Sequence, residues 1–145
     1  MKALTIHQPY AELIAKGEKF VENRAWKTNY RGPLAIHAGK SREWFKNGDQ
    51  PDNYLFGAVI AVGNLVACLP LKGMQEMSPK QRIWEAQLTI GDILQHSHTQ
   101  GPYCWIIKSV SRIEPIFING NQGLWNWSGD ITLEIMGNNA TTPKK

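Results

Sequence analysis

One continuous apolar run, residues 56–71, constrains the fold of this chain more than any other segment. It holds four β-branched residues, from Val59 to Val66, and Gly63 interrupts it near the middle. Such a composition is typical of a buried strand, and the glycine predicts a bend. Because the backbone of a buried strand must hydrogen-bond to neighbours, the chain has to supply a sheet around this run.

Other parts of the chain supply strands for that sheet. They alternate apolar and polar side chains or are rich in β-branched residues, as half-buried strands are. The longest of them is expected to break at Pro115, since proline cannot donate to a neighbouring strand. The pattern predicts extended segments at residues 1–7, 20–24, 34–38, 103–118 and 131–135.

Helices are few and short in this sequence. Gln8 and Pro9 open one that ends at Gly17, because proline suits the first helical position and glycine a helix end. Serine caps predict two more, at residues 41–46 and 78–88, and residues 124–127 are interpreted as one helical turn. Strands without regular βαβ alternation favour an α+β fold, a small mixed β-barrel decorated with two or three short helices.

Composition places the chain among small folded domains. Hydrophobic residues make up 42% of it and charged residues 19%, so it can bury a core. We expect one domain over residues 1–137 and a disordered polar tail over residues 138–145. The sequence has neither an apolar run of about 18 residues for a membrane span nor a secretory signal. A cytoplasmic monomer without membrane contact is the expectation.

Metal and cofactor sites are not expected. The two cysteines, Cys68 and Cys104, lie in separate apolar segments, and the spacing of a zinc site is missing. Both are interpreted as buried free thiols. The formal net charge of +4 is compatible with a polyanionic partner, and six tryptophans indicate either a large core or an aromatic-lined site.

Three charged residues stand out near the N-terminus. Glu22 and Arg24 share one face of the extended segment, about 7 Å apart, and Lys19 follows the helix end closely. Together they can converge on a small ligand. They can equally form a surface ion pair, worth at most about 1 kcal/mol, and the spacing leaves both alternatives open.

The same region resembles a known family. It contains Gln-Pro-Tyr-Ala-Glu-Leu-Ile, then Gly-Glu-Lys-Phe-Val-Glu-Asn-Arg, then Trp-Lys-Thr-Asn-Tyr-Arg-Gly-Pro-Leu-Ala-Ile-His-Ala, without a break from Gln8 to Lys40. Residues 57–60 and 123–127 also fit. This pattern is similar to the ASCH family (activating signal cointegrator homology), whose fold resembles the PUA domain of RNA-modifying enzymes.

The resemblance implies a cleft beside the barrel that takes RNA, another single-stranded nucleic acid or a modified nucleoside. Trp125 would stack on a base, and the arginines would contact phosphate or a base edge. A core position for Trp125 and a structural role for His37 are the alternatives, and Lys40 would join a basic strip beside the cleft. The implied ligand-binding residues are Lys19, Glu22, Arg24, Tyr30, Arg31, His37, Lys40, Gln122 and Trp125.

The family resemblance also includes hydrolases. Some relatives are amidohydrolases acting on N4-acylated cytidine with a Lys, a Thr three residues later and a Glu. Here Lys19 is present, but Glu22 occupies the threonine position, and Thr28 is the nearest substitute. Other relatives resemble ribonucleases, in which Lys19, Tyr30 and Arg31 would stabilise a phosphate. If the chain is an enzyme, Lys19 and Glu22 are the expected catalytic residues. A protein-interaction domain is a third interpretation.

Overall fold

Eight strands and three short α-helices make up residues 1–129, the part of the chain that the computed structural model describes. The strands are β1 (Lys2–Ile6), β2 (Val21–Arg24), β3 (Gly32–Ala38), β4 (Ala58–Pro70), β5 (Arg82–Ile83), β6 (Leu88–Thr89), β7 (Tyr103–Phe117) and β8 (Leu124–Asn126). The helices are α1 (Tyr10–Ala15), α2 (Leu71–Gln75) and α3 (Ile90–Gln95), and Pro51–Asn53 forms a 3-10 turn.

Six of these strands form one mixed sheet in the order β2-β7-β4-β3-β1-β8. β1 runs parallel to β3, and the other neighbours are antiparallel. β5 and β6 form a separate two-stranded hairpin. This mixed sheet curls into a half-barrel with a few short helices, which confirms the predicted α+β, PUA-like fold class.

The apolar run forms the central strand, as predicted. β4 pairs with β3 on one side and with β7 on the other, and its first six residues are buried. Its pairing with β7 shifts register between Val62 and Asn64, where the sequence predicts a bend. Its side chains contribute to three apolar clusters, one around Trp105 and α1, one around Trp125 and Trp127, and one around α3.

The curl of the sheet brings its two ends close together. Arg24, at the end of edge strand β2, donates a hydrogen bond from Nη2 to the carbonyl oxygen of Thr5 on β1, at 2.9 Å. Trp26, just beyond β2, lies beside Gly123, just before the opposite edge strand β8. Arg24 and Trp26 therefore mark the seam at which the half-barrel approaches closure.

The helix predicted over residues 78–88 is wrong. The hydroxyl of Ser78 accepts from the amide of Lys80, which makes a local turn rather than a cap. Thr89 instead caps α3, because its hydroxyl accepts from the amide of Asp92 and the Asp92 carboxylate accepts from the amide of Thr89. This capping box starts the helix at Ile90.

Three further expectations are corrected. Residues 41–46 form turns, since the Ser41 hydroxyl accepts from the amide of Glu43 only two residues away. Residues 124–127 are not a helical turn, because β8 pairs with β1. β7 continues past Pro115, which falls where the pairing with β4 is irregular and its missing donor is tolerated.

Residues 130–145 are outside the described part of the chain. The predicted strand at residues 131–135, the domain limit at residue 137 and the tail fall there. Within residues 1–129, the helices are too short and not apolar enough to cross a membrane. Cys104 is buried and Cys68 half-buried, and both are free thiols.

Close packing at the bend of β4 generates a stability prediction. A Cβ atom on Gly63 would lie 2.9 Å from the Cγ2 atoms of both Ile107 and Val110. We expect Gly63→Ala to lower the free energy of unfolding by about 1–3 kcal/mol through overpacking. Asn64→Ala, at the exposed next position, should change it by less than about 0.5 kcal/mol. Urea denaturation compares them, and equal midpoints would show that the strand adjusts freely.

Candidate functional site

A cleft of about 500 Å³ opens beside the end of β1 and the first turn of α1. Its remaining walls come from β2, from the loop between β3 and β4, and from the loop between α3 and β7. Polar and aromatic side chains dominate the lining. The lining residues are Thr5, Ile6, His7, Tyr10, Lys19, Glu22, Asn23, Arg24, Trp44, Lys46, Ser97, His98 and Gln100.

An ion triad of Lys19, Glu22 and Arg24 forms the floor of this cleft. Lys19 Nζ lies 2.8 Å from Glu22 Oε1, and Arg24 Nη2 lies 3.1 Å from Glu22 Oε2. Lys19 Nζ also donates to the carbonyl oxygen of Val21. Only 4% of the Lys19 side chain and 11% of the Glu22 side chain are exposed. Lys19 and Glu22 therefore form a buried ion pair, and Arg24, 22% exposed, joins it from the cleft side.

Local structure explains how these three side chains meet. Gly17, with φ of +81°, ends α1 in the left-handed region that glycine favours. The amides of Glu18 and Lys19 then both donate to the carbonyl oxygen of Leu13, which folds the chain back under the helix. Glu22 and Arg24 follow on one face of β2, as the period of two requires.

Arg24 has one donor without a partner. Its Nε is buried and has no hydrogen-bond partner among residues 1–129, whereas Nη2 donates to the carbonyl oxygen of Thr5 and forms an ion pair with Glu22 Oε2. A buried donor without a partner costs about 1–3 kcal/mol. Folded proteins rarely leave such a group unpaired unless the site has another purpose.

Aromatic rings form the outer wall. The Trp44 ring lies 5.8 Å from the His7 ring and 6.4 Å from the Tyr10 ring, between ring centroids. Trp44 is 45% exposed, so it offers a flat apolar face to a ligand. Lys46, two residues further along, adds a positive charge at the same wall. The outer wall thus combines a stacking surface with a cation.

The opposite wall is held in place by Asn23. Its Nδ2 donates to the carbonyl oxygen of His98 at 2.7 Å, and its Oδ1 accepts from the amides of Gln100 and Gly101. Burial, and secondarily the charge of Lys19, lowers the pKa of His98 below its ordinary value of 6.5. At neutral pH the cleft therefore presents a neutral imidazole opposite its cations.

Only part of the set of ligand-binding residues predicted from the sequence lies at this cleft. Lys19, Glu22 and Arg24 line it together. Tyr30 and Arg31 instead shape a turn, because the Tyr30 hydroxyl donates to the Pro33 carbonyl and the Arg31 guanidinium to the carbonyls of residues 28 and 30. Lys40 and Gln122 do not line the cleft either. Lys40 is exposed and donates to the Asn119 side chain at 2.8 Å.

His37 and Trp125 lie behind the cleft, and Thr5 connects them. His37 Nε2 is 2.7 Å from the carbonyl of Ile118, so Nε2 carries the proton and donates. His37 Nδ1 must then accept from the Thr5 hydroxyl, at 3.1 Å, while Trp125 Nε1 donates to Thr5 Oγ1 at 3.2 Å. His37 is 1% and Trp125 8% exposed. His37 is thus held as a buried structural residue and Trp125 lies in the core, which are the alternatives to ligand binding that the sequence left open.

Most of the lining residues fall outside the set chosen from sequence, among them His7, Tyr10, Asn23, Trp44, Ser97, His98 and Gln100. Trp44 carried a usable signal, since a large aromatic residue in a polar loop is costly to expose. The two histidines His96 and His98, separated by one residue in the sequence, were a second signal of a polar site. Within the described residues, no group of three His, Cys, Asp or Glu side chains is placed to hold a metal ion.

A comparison with protein families identifies the family of this chain. The family model of the ASCH domain matches residues 4–117, which include the ion triad and both walls of the cleft. The chain therefore belongs to the ASCH domain family, the family that its N-terminal motif resembles.

Two relatives match most of this chain. It is 28% identical to activating signal cointegrator 1 of Homo sapiens and 29% identical to that of Mus musculus, over 144 residues in each case. These alignments cover 88% of this chain but only 22% of each relative. The chain thus spans less than a quarter of the length of those proteins.

The solved structures show the fold. ASCH from Zymomonas mobilis superimposes with a TM-score of 0.53 at 14% identity, covering 94% of this chain and 93% of that chain. A mutant of the same protein gives a TM-score of 0.54 at 15% identity, covering 94% and 96%. At this level of identity the likeness concerns the fold alone.

The ion triad predicts an unequal effect of two Glu→Gln changes. Glu22→Gln leaves two cations without their anion in a buried site, so we expect it to lower the free energy of unfolding by about 3–5 kcal/mol. Glu12→Gln breaks the exposed pair with Arg112, at 2.6 Å and 3.1 Å, and should cost about 1 kcal/mol or less. Chemical denaturation measures both, and equal losses would contradict a buried role for Glu22.

Burial of His37 predicts an acid-sensitive fold. Desolvation is the main cause that lowers the pKa of His37 below 6.5. The unfolded chain therefore binds more protons than the native state as pH falls through this value, and stability declines. A glutamine in place of His37 keeps a donor and an acceptor but cannot titrate, so His37→Gln should lose less stability than wild type between about pH 7.5 and about pH 5. Denaturation at both pH values is the measurement, and equal losses would contradict it.

Proposed function

We propose that the cleft binds one base of a single-stranded RNA or DNA, or one modified nucleoside. The observation that carries this proposal is the exposed ring of Trp44 beside a recessed, charged floor, in a cleft of about 500 Å³. That volume lies within the usual range for small-ligand sites, about 300–1,000 Å³. A flat aromatic ligand with polar edges matches both the wall and the floor.

Each part of the cleft has a role in this proposal. A base stacked on Trp44 gains about 1–3 kcal/mol, whatever its identity. Its polar edge reaches the floor, where Glu22 retains lone pairs for accepting and the part-exposed Arg24 guanidinium can donate. Lys46 lies at the wall, where it attracts a backbone phosphate. A base paired in a duplex cannot reach the floor, so a single strand or an extruded base is required.

A second candidate, metal-independent ribonuclease activity, is favoured by one specific observation. His7 and His98 both line the cleft, where the His7 ring lies 5.8 Å from the Trp44 ring and the His98 ring lies 6.3 Å from the Tyr10 ring, between centroids. One imidazole can take the proton of a ribose 2′-hydroxyl as that oxygen attacks the phosphorus. The other can protonate the departing 5′-oxygen. Such a reaction would leave a 2′,3′-cyclic phosphate and a new 5′-hydroxyl end.

The amidohydrolase alternative has less support. Glu22 occupies the position of the threonine nucleophile and is bonded to both cations of the triad. Thr28 lies outside the cleft, and its hydroxyl accepts from the amide of Tyr30. Thr5 lines the cleft, but its hydroxyl is engaged by His37 and Trp125.

Removal of the stacking wall tests the binding proposal. We expect Trp44→Ala to weaken binding of a single-stranded oligonucleotide by about 1–3 kcal/mol, whereas Trp44→Phe retains most of the affinity. Lys46→Ala should reduce the salt dependence of binding by about one phosphate contact. Calorimetric titrations at about 50 and 200 mM salt measure both effects. Wild-type affinity in Trp44→Ala would move the binding site away from this cleft.

The ribonuclease candidate has its own experiment. End-labelled RNA is incubated with wild type, His98→Gln and His7→Gln in the presence of a chelator. Cleavage with cyclic-phosphate ends that both substitutions abolish would make the chain an enzyme. Intact RNA after prolonged incubation with wild type, under conditions in which the RNA is bound, would leave the binding function alone.

A further inference from the structure

Trp26 is an exposed aromatic residue on the seam of the half-barrel, and it does not line the cleft. It is 40% exposed, although a tryptophan contributes most to stability when its whole ring is covered. Trp84, on the hairpin β5–β6, is more exposed at 73%, but the Arg82 guanidinium covers part of its ring at 5.1 Å from the centroid.

The Trp26 ring is held firmly despite its exposure. It meets the buried ring of Trp105 at 4.7 Å between centroids and at an angle of 88°. Trp105 Nε1 also donates to the carbonyl oxygen of Trp26 at 3.2 Å. With an edge-to-face contact of this kind, at least one flat face of Trp26 remains uncovered by Trp105. The residue is therefore a fixed aromatic platform rather than a loose side chain.

This platform adjoins the ion triad. Trp105 is directly opposite Glu22 in the pairing of β7 with β2, so both side chains project from the same face. Side chains opposed in this way have Cβ atoms about 4.5–5.5 Å apart. Trp26 packs on Trp105. Along the chain, Arg24 lies between Glu22 and Trp26, and it pairs with Glu22. The floor of the cleft and the Trp26 ring are thus neighbours on one surface.

Polar groups flank the platform. Lys27 follows Trp26 and is exposed. A Cβ atom on Gly123 would lie 4.0 Å from Cζ2 of Trp26, in ordinary van der Waals contact, and this places exposed Gln122 at the same seam. A cation for phosphate and an amide for a base edge therefore accompany the exposed ring. Gln122, which lies away from the cleft, finds a role here.

We propose that Trp26 forms a second base subsite, which stacks the nucleotide adjacent to the one held in the cleft. This inference rests on the proposed function of the cleft and adds the path that a bound single strand takes across the surface. The nucleic-acid strand would run from Trp44 across the ion triad and leave it at Arg24, towards the seam at Trp26. The preferred ligand is then a single strand of at least two nucleotides rather than a free nucleoside.

Length dependence of binding tests the subsite. Calorimetry compares adenosine, cytidine and uridine monophosphates with the matching RNA dinucleotides and tetranucleotides. Stacking of one added base corresponds to a gain of about 5- to 150-fold in affinity from one nucleotide to two. Trp26→Leu keeps an apolar side chain on Trp105 but offers no flat ring. It should lose most of that gain and bind mononucleotides within about twofold of wild type.

Two further variants make the test specific. Trp26→Phe should recover most of the length-dependent gain, because phenylalanine also stacks. Trp84→Ala, which removes an exposed tryptophan outside both surfaces, should retain the full gain. Thermal unfolding of each variant verifies that it is folded before binding is compared.

The outcomes separate the two proposals. If wild type gains affinity with length and Trp26→Leu gains as much, the subsite is wrong and the cleft proposal stands. If wild type binds neither mononucleotides nor oligonucleotides, the function of the cleft is wrong and the subsite falls with it. Loss of the gain in Trp26→Leu, with recovery in Trp26→Phe, supports the subsite.

Discussion

The buried ion triad of Lys19, Glu22 and Arg24 is the interaction on which the rest of this structure depends. It joins the turn after α1 to edge strand β2, and Arg24 extends it across the seam to the carbonyl oxygen of Thr5 on β1. Buried charges carry a large desolvation cost, which only good geometry and further hydrogen bonds offset. The same contacts that hold the ends of the sheet together therefore build a recessed, polar cleft floor.

In this domain, paired strands support the floor of the cleft, and loops form much of its walls. Strand β4 and its neighbours place the floor, since they are paired on both sides and packed against α1. The walls come from loops, which tolerate sequence change better than the strands do. Asn23 nevertheless fixes one wall by bonding three backbone groups of a loop from the edge strand.

Sequence patterns predicted the strands better than the later helices. The strand β4 follows from its continuous, β-branched apolar composition, and the face shared by Glu22 and Arg24 follows from the side-chain period of two. The helix at residues 78–88 failed because Ser78 forms a local turn and Thr89 makes the capping box. Propensity could not distinguish these two caps. For β8, pairing with β1 outweighed a local pattern that favours a helical turn.

By itself, the sequence determined the α+β class, the central strand and the charged motif that becomes the triad, because these depend on local spacing and composition. Only the tertiary structure decided which residues share the cleft. Trp44, His98 and Trp26 come from loops whose positions depend on contacts distant in sequence, and periodicity carries no information about such contacts. Burial likewise decided that Trp125 packs in the core while Trp44 faces solvent, since a tryptophan suits either place.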